Sequence, residues 1–251
     1  MAGSNKMSED KEFYDNPEVL RYYLVHRRRP DNPNDALERP IFLELAGNLT
    51  NLDIIDLGCG DASFGSYALL QGARSYEGVE VSSSMLDIAR QTLAGTSGKV
   101  RHESIQTWQA KAEQVDLVSS RLALHYIENL KRVFQEIYQA LRPGGRVIIS
   151  VEHPVITSNF ASLAEGHRTT WLVDNYFNSG ARTHMWLGSE VTKYHHTLEE
   201  YFDLVTDTGF ELTRVRESCP KKENFLSETE YERRLRIPLF LFLAARKPKS
   251  Q

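Results

Sequence analysis

Cysteine is scarce in this chain. Cys59 and Cys219 are the only two among 251 residues, too few for a disulfide framework or a structural zinc site, and the reading that follows is a reducing, cytoplasmic setting. No His-x-x-x-His or paired Cys/His spacing occurs, so no metal is expected. Long hydrophobic runs are missing as well. The most apolar stretch, Ile237 to Ala245, is strand-sized and ends at Arg246-Lys247, which argues against a membrane span. Nor does one sign of charge dominate. The formal net charge is -4 with both signs mixed throughout, and nothing in it advertises a nucleic-acid partner. Met1 to Lys11 is polar and charged, unlike a secretory signal, and residues 1–12 are expected to form a disordered tail.

What remains reads as one α/β domain over 13–251. Residues 13–47 are a helical lead-in, broken by the turn-rich Arg29-Pro-Asp-Asn-Pro-Asn, with Asp35 placed to cap a helix from Ala36 to Gly47. From position 52 strand and helix alternate. Strands are expected at 52–57, 76–81, 99–103, 115–119 and 146–152. Helices fall between them, the last with an apolar face of Leu130, Val133, Phe134, Ile137 and Leu141 that stops at Pro143-Gly144-Gly145. Such alternation predicts a parallel sheet with helices on both faces. The pattern then breaks over 153–196, read as an inserted cap with short strands at 169–172 and 190–194. A helix resumes behind Thr197, with Glu200 completing a capping box. Strands at 210–216 and 237–246 close the domain, and 218–236 reads as charged and irregular.

The most informative stretch is Ile55-Asp-Leu-Gly-Cys-Gly-Asp-Ala-Ser-Phe-Gly65. A strand runs into a glycine turn and then into a helix. Gly58 and Gly60 let backbone amides approach a ligand, and the helix N-terminus welcomes an anion or carboxylate. The glycine spacing differs from the dinucleotide fingerprint, and no phosphate-loop lysine is present. Glu80 ends the second strand 20 residues past Gly60, where a carboxylate accepts both hydroxyls of a ribose. Glu103-Ser104-Ile105 follows the third strand, placed for an adenine, and Ser119-Ser120-Arg121 follows the fourth.

Taken together, Asp56-Leu-Gly-Cys-Gly, Glu80 with Met85-Leu86, the acidic turn at Glu103 and Leu141-Arg-Pro-Gly-Gly-Arg resemble successive motifs of the class I methyltransferases that use S-adenosylmethionine, most closely the bacterial small-molecule type. The resemblance spans about 40–155 firmly and 190–247 more loosely. Two positions depart from it: Ala62 replaces the usual third glycine, and Glu103 stands where an Asp is usual. The family implies a Rossmann-like, seven-stranded, mostly parallel sheet of order 3-2-1-4-5-7-6 with the last strand antiparallel. It also implies S-adenosyl-L-methionine as cofactor, with Asp56, Gly58, Cys59, Gly60, Glu80, Val81, Met85, Glu103, Ser104, Ile105, Ser120 and Arg121 around it. Residues 13–47 would be a helical lid, from which Arg27 would meet the methionine carboxylate.

The expected reaction is methyl transfer to an oxygen or nitrogen of a small aromatic or heterocyclic metabolite. A methylase of RNA or protein and a non-catalytic cofactor-binding accessory protein are the alternatives. No membrane partner is expected, and the protein would be a monomer or homodimer. His153, His125 and Tyr176 are the candidates for acid–base work: His153 leaves a strand end that should face the ligand crevice, and His125 follows the fourth strand. Trp171, Arg182, Trp186 and His195 are candidates for acceptor contact. The aromatic residues read equally well as the cap's own core. His195 and His196 alternate along a strand, so at most one points inward.

Overall fold

The computed structural model describes residues 13–29, 32–161 and 170–249. The tail expected at 1–12 and Thr169 of the first expected cap strand lie outside these residues. An N-terminal arm comes first, made of α1 (Pro17–Arg27), a π-helical turn (Asn34–Glu38) and α2 (Arg39–Ala46). Asn16 caps α1 by accepting from the N–H groups of Glu18 and Val19. The anticipated cap by Asp35 does not form: no side chain caps the π-helical turn, and the Asp35 carboxylate instead meets Arg27 and Asn32. Pro40 falls in the first turn of α2, where a missing N–H leaves no bond unmade.

The alternating region follows as β1 (Asp53–Leu57), α3 (Ser63–Leu70), β2 (Ser75–Glu80), α4 (Ser83–Thr92), β3 (Lys99–His102), β4 (Val115–Arg121), α5 (Leu130–Ala140) and β5 (Leu141–Glu152). A short α6 (Pro154–Thr157) and a hairpin of β6 (Gly180–Trp186) and β7 (Ser189–His195) come next, then α7 (Leu198–Asp207), β8 (Glu211–Glu217), α8 (Glu228–Arg234) and β9 (Phe240–Arg246). Seven of these strands form one sheet in the order β3-β2-β1-β4-β5-β9-β8, and β6–β7 stand apart from it. With the hairpin set aside, this is the 3-2-1-4-5-7-6 order implied by the resemblance. β9, the last strand, runs antiparallel to both β5 and β8.

Period-two alternation feeds two apolar layers. Ile55, Leu57, Val147, Ile149, Val151, Leu241 and Leu243 face α5 and α7, where Phe134, Ile137 and Tyr201 are buried. Ile54, Ile148, Phe240 and Phe242 face the other way, against Phe42 of α2 and Phe64 and Ala68 of α3. The parallel strands β1, β2 and β4 all end at one edge, and the glycine turn, Glu80 and Arg121 sit there.

Three local expectations are corrected. α5 stops at Ala140, short of Pro143, because Leu141 already pairs with Val115 in the sheet. Residues 170–172 form no strand; the partner of β7 is β6, joined to it across Leu187-Gly188, both at positive φ (49° and 84°). A leucine in that conformation is an unusual turn residue, which left Gly188 as the local signal of the hairpin. The irregular stretch 218–236 holds α8, capped by Ser227.

Gly65 of α3 lies against the ring of Tyr76 on β2, where an added Cβ would stand 2.3 Å from two ring carbons. Gly65→Ala should therefore push Tyr76 out of place and lower unfolding stability by about 1–3 kcal/mol, read from urea denaturation with an unchanged m-value.

Candidate functional site

Glu80 organises the edge. Its Oε2 accepts from the Gly60 N–H at 2.9 Å, and its Oε1 accepts from the N–H groups of Val81 and Ser82, each at 2.9 Å. The side chain is buried; burial raises its pKa, and the three amides pull in the opposite direction. Gly60 takes φ +55°, a conformation natural to glycine. An ideal Cβ on Gly60 would lie 3.4 Å from Met85 Cε, and one on Gly58 would lie 3.3 Å from Ile105 Cδ1. Two apolar side chains thus flank the turn. Ser82 caps α4 beside them. This donor set fits an adenosyl group: a buried carboxylate for two ribose hydroxyls, apolar walls for a flat base, and a helix N-terminus.

Other residues expected at the cofactor stand behind this front. Gly58 donates its N–H to Val79 O at 2.8 Å, so that amide does not face a ligand; its missing Cβ would stand 2.4 Å from Ala123 Cβ. Gly58 is therefore required by the close approach of the loop after β4. Asp56 accepts from Tyr76 Oη at 2.8 Å and Ser119 Oγ at 2.7 Å, which engages both of its oxygens inside the sheet. Ser120 Oγ donates to Leu57 O at 2.8 Å. Cys59 is a packing residue: its sulfur lies against Gly78, and burial pushes its thiol pKa well up. Glu103 pairs with Arg101 at 3.3 Å, and Ser104 Oγ accepts from the Gln106 N–H at 3.2 Å.

The arm closes over this edge. Asp15 Oδ1 accepts from Ser82 Oγ at 2.7 Å and from the Ser84 N–H at 2.9 Å. Tyr14 is packed between the fields of Tyr126, Tyr23 and Glu80, and burial, then Tyr126, drives its pKa up. Arg27 donates to Asn32 Oδ1 at 2.9 Å and pairs with Asp35 within the arm. Arg121 is likewise engaged. Its guanidinium clasps Glu38 of the arm, which is fully buried, and Ser150 Oγ donates to the same carboxylate at 2.7 Å. Burial works against the Arg121 charge, and Glu38 more than offsets it. The next residue, Leu122, sits at φ +52°, held by Ser150.

A second cluster lies one strand over. Lys193, buried on β7, donates from Nζ to Glu152 Oε1 at 2.5 Å. Its ammonium lies 5.0 Å from the Trp186 ring, 5.5 Å from Tyr126 and 5.7 Å from Phe160, distances at which ring faces attract a cation. Burial would raise the Glu152 carboxyl, but Lys193 holds it down at about 2. His125 Nδ1 accepts from the Glu152 N–H at 3.2 Å, and burial lowers its pKa to about 3, so the ring is neutral. Phe13 and Tyr14 of the arm pack on Trp186, with ring centroids 5.4 Å and 6.2 Å away.

Of the expected acceptor and acid–base residues, the fold brings His125 and Trp186 to this cluster. His153 accepts from the Val155 N–H with Nδ1 and meets Glu217 through Nε2 at 2.9 Å, so both nitrogens hold the fold together. His195 is also fully engaged, by Thr157 Oγ1 at 2.7 Å and Tyr176 O at 2.8 Å. Tyr176 Oη accepts from the Leu198 N–H, and Arg182 donates to backbone oxygens of Ser158, Asn178 and Ala181. Trp171 lies under Arg236. Sequence reasoning missed Glu38, Tyr14, Glu152 and Lys193. One signal was available for Lys193: on β7, positions 191, 193 and 195 alternate inward together.

Removing one partner of the buried Arg121–Glu38 pair strands the other. Arg121→Met should cost about 3–5 kcal/mol in urea unfolding, and Glu38→Met with Arg121→Met should recover most of it. His125 gives a pH dependence. Its folded pKa lies below that of the unfolded chain, so its contribution is complete above about pH 6.5 and is lost as pH falls through about 3. Stability should fall by up to about 1.4 kcal/mol per pH unit for this one proton, and His125→Asn should flatten the profile measured between pH 7 and 5.

A family model described as a methyltransferase domain matches residues 55–149. An S-adenosylmethionine-dependent methyltransferase of known structure from Mesorhizobium loti is 32% identical, covers 83% of this chain and 97% of its own, and superposes with a TM-score of 0.76. An uncharacterised protein of Haemophilus influenzae is 27% identical over 97% of this chain and 98% of its own. A malonyl-[acyl-carrier protein] O-methyltransferase of Pectobacterium atrosepticum is 29% identical over 47% of this chain and 41% of its own length. With the sheet order and the Glu80 turn, these matches assign the chain: it belongs to the class I S-adenosylmethionine-dependent methyltransferases.

Proposed function

We propose that this methyltransferase acts on an oxygen or nitrogen of a small aromatic or heterocyclic metabolite. The observation that carries the reading is the buried Glu80 carboxylate turned onto the Gly60 amide, with the aromatic rings of Trp186 and Tyr126 gathered around Lys193 beyond β4. The relative from Pectobacterium atrosepticum is an O-methyltransferase, which is in keeping with an oxygen acceptor. When bound, S-adenosylmethionine supplies a methyl group on a sulfonium, already attached to a good leaving group. The chain's own residues have less covalent work to do than in hydrolysis: they hold two molecules in line and keep water out. Glu80 would bind the ribose, Met85 and Ile105 would flank the adenine, and the arm would cover both.

His125 is neutral across the physiological range and uses Nδ1 to accept from Glu152 N–H, so it fixes the end of β5. His153 and Tyr176 serve the fold through the bonds described above. The same reading places the protein in the cytoplasm, where Cys59 and Cys219 stay as free thiols.

Glu80→Ala should weaken S-adenosylhomocysteine binding by on the order of 1–3 kcal/mol, from the loss of charge-assisted hydrogen bonds. Calorimetry on wild type and variant checks this, and unchanged affinity would remove Glu80 from the cofactor site. Transfer of labelled methyl to a panel of phenols, amines and heterocycles tests the acceptor class.

A further inference from the structure

We propose that Glu152 and Lys193 form the acceptor-reading pair of the enzyme, and that Glu152 Oε2 receives a hydrogen bond from an O–H or N–H of an uncharged, flat acceptor lying against Trp186 and Tyr126. The inference deepens the small-molecule reading above and rests on it.

Position comes first. Glu152 is the last residue of β5, whose neighbour β4 separates it from the glycine turn after β1. His125, in the turn just after β4, accepts from the Glu152 backbone. The arm spans the gap: the Tyr14 ring lies edge-on to Trp186 at 6.2 Å, and Asp15 beside it accepts from Ser82 Oγ, whose backbone N–H donates to Glu80. Two neighbouring arm residues therefore reach toward both the Glu80 carboxylate and this pair.

The chemistry of the pair selects its ligand. Oε1 of Glu152 is held by Lys193, while Oε2 is buried with no partner among the described residues. A buried carboxylate oxygen without a donor is unfavourable, and a ligand that brings a donor corrects it. Charge narrows the class further. A cationic acceptor would meet the Lys193 ammonium, which already sits among the rings of Tyr126, Trp186 and Phe160. An anionic acceptor would meet the Glu152 carboxylate. A neutral group with a proton to share meets neither objection. The aromatic walls favour a planar body behind that group.

The test uses the full-length protein saturated with S-adenosylhomocysteine and four probes: phenol, anisole, benzoate and benzylamine. Calorimetry should show phenol binding at least about tenfold more tightly than anisole, which lacks the donor, and more tightly than either charged probe. Glu152→Met combined with Lys193→Met replaces the pair by apolar groups of similar length. It should keep S-adenosylhomocysteine affinity within about twofold and abolish the phenol preference. Glu152→Gln, which keeps an oxygen acceptor without the charge, should retain part of the preference. A purely structural ion pair would leave the phenol-to-anisole ratio the same in all three proteins, and that result overturns the proposal. So does the absence of saturable phenol binding to the wild type, or a stronger response to benzoate or benzylamine. Failure of the wild type to bind S-adenosylhomocysteine would instead overturn the cofactor reading on which the site depends.

Discussion

The site depends on one carboxylate held by backbone. Glu80 collects three N–H groups, from Gly60, Val81 and Ser82, and so ties the turn after β1 to the end of β2 and the start of α4. Each of those amides lies where an ordinary strand or helix bond is lacking, because the chain is leaving one element or beginning another. One side chain answers the needs of three segments. The glycine turn keeps its shape because Glu80 holds it from the ligand side while Gly58 packs on Ala123 from behind. Tyr76, Asp56 and Ser119 brace β1 from within the sheet. The front of the site presents acceptor oxygens and apolar walls, and its rear is locked by the hydrogen bonds of Asp56 and by contact.

Above this floor, two sequence-distant parts meet as a roof. Phe13, Val19 and Val191 form an apolar cluster with Tyr14, Tyr126, Trp186 and Leu187 around it. The arm thus touches the hairpin as well as the edge of the sheet, and the glycine turn and the Glu152–Lys193 pair lie below the same cover. Excluding water matters for both. Desolvation strengthens the charge–ring contacts around Lys193, and a dry approach preserves a sulfonium methyl for its acceptor.

The strands and the turn held by Glu80 were legible because they rest on local signals, while the strand order came with the family resemblance. Period-two apolar runs, a strand-to-glycine-to-helix passage and an acid at a strand end are written in consecutive residues. Gly60 meets Glu80 and lies near Met85, and Ile105 stands against Gly58. The acid–base candidates fared differently because a histidine's role depends on what its two nitrogens meet. His153 looked outward by its place at a strand end, yet Val155 and Glu217 take both nitrogens. His195 points inward as alternation allows, and meets Thr157 and Tyr176. Glu38, and Lys193 apart from its register on β7, were hidden for the opposite reason. Charged residues read as surface, and only the long-range pairings with Arg121 and Glu152 make their burial tolerable. The hairpin turn at Leu187-Gly188 escaped notice because leucine carries no turn signal.

The burial of Glu38 has a mechanical side. It fastens the π-helical turn to β4 and β5 through Arg121 and Ser150, a clasp that is expensive to undo. Farther toward the N-terminus, the arm rests on Asp15 and on stacked rings, contacts that water replaces at far smaller loss. The cover is thus riveted at one end and merely buttoned at the other.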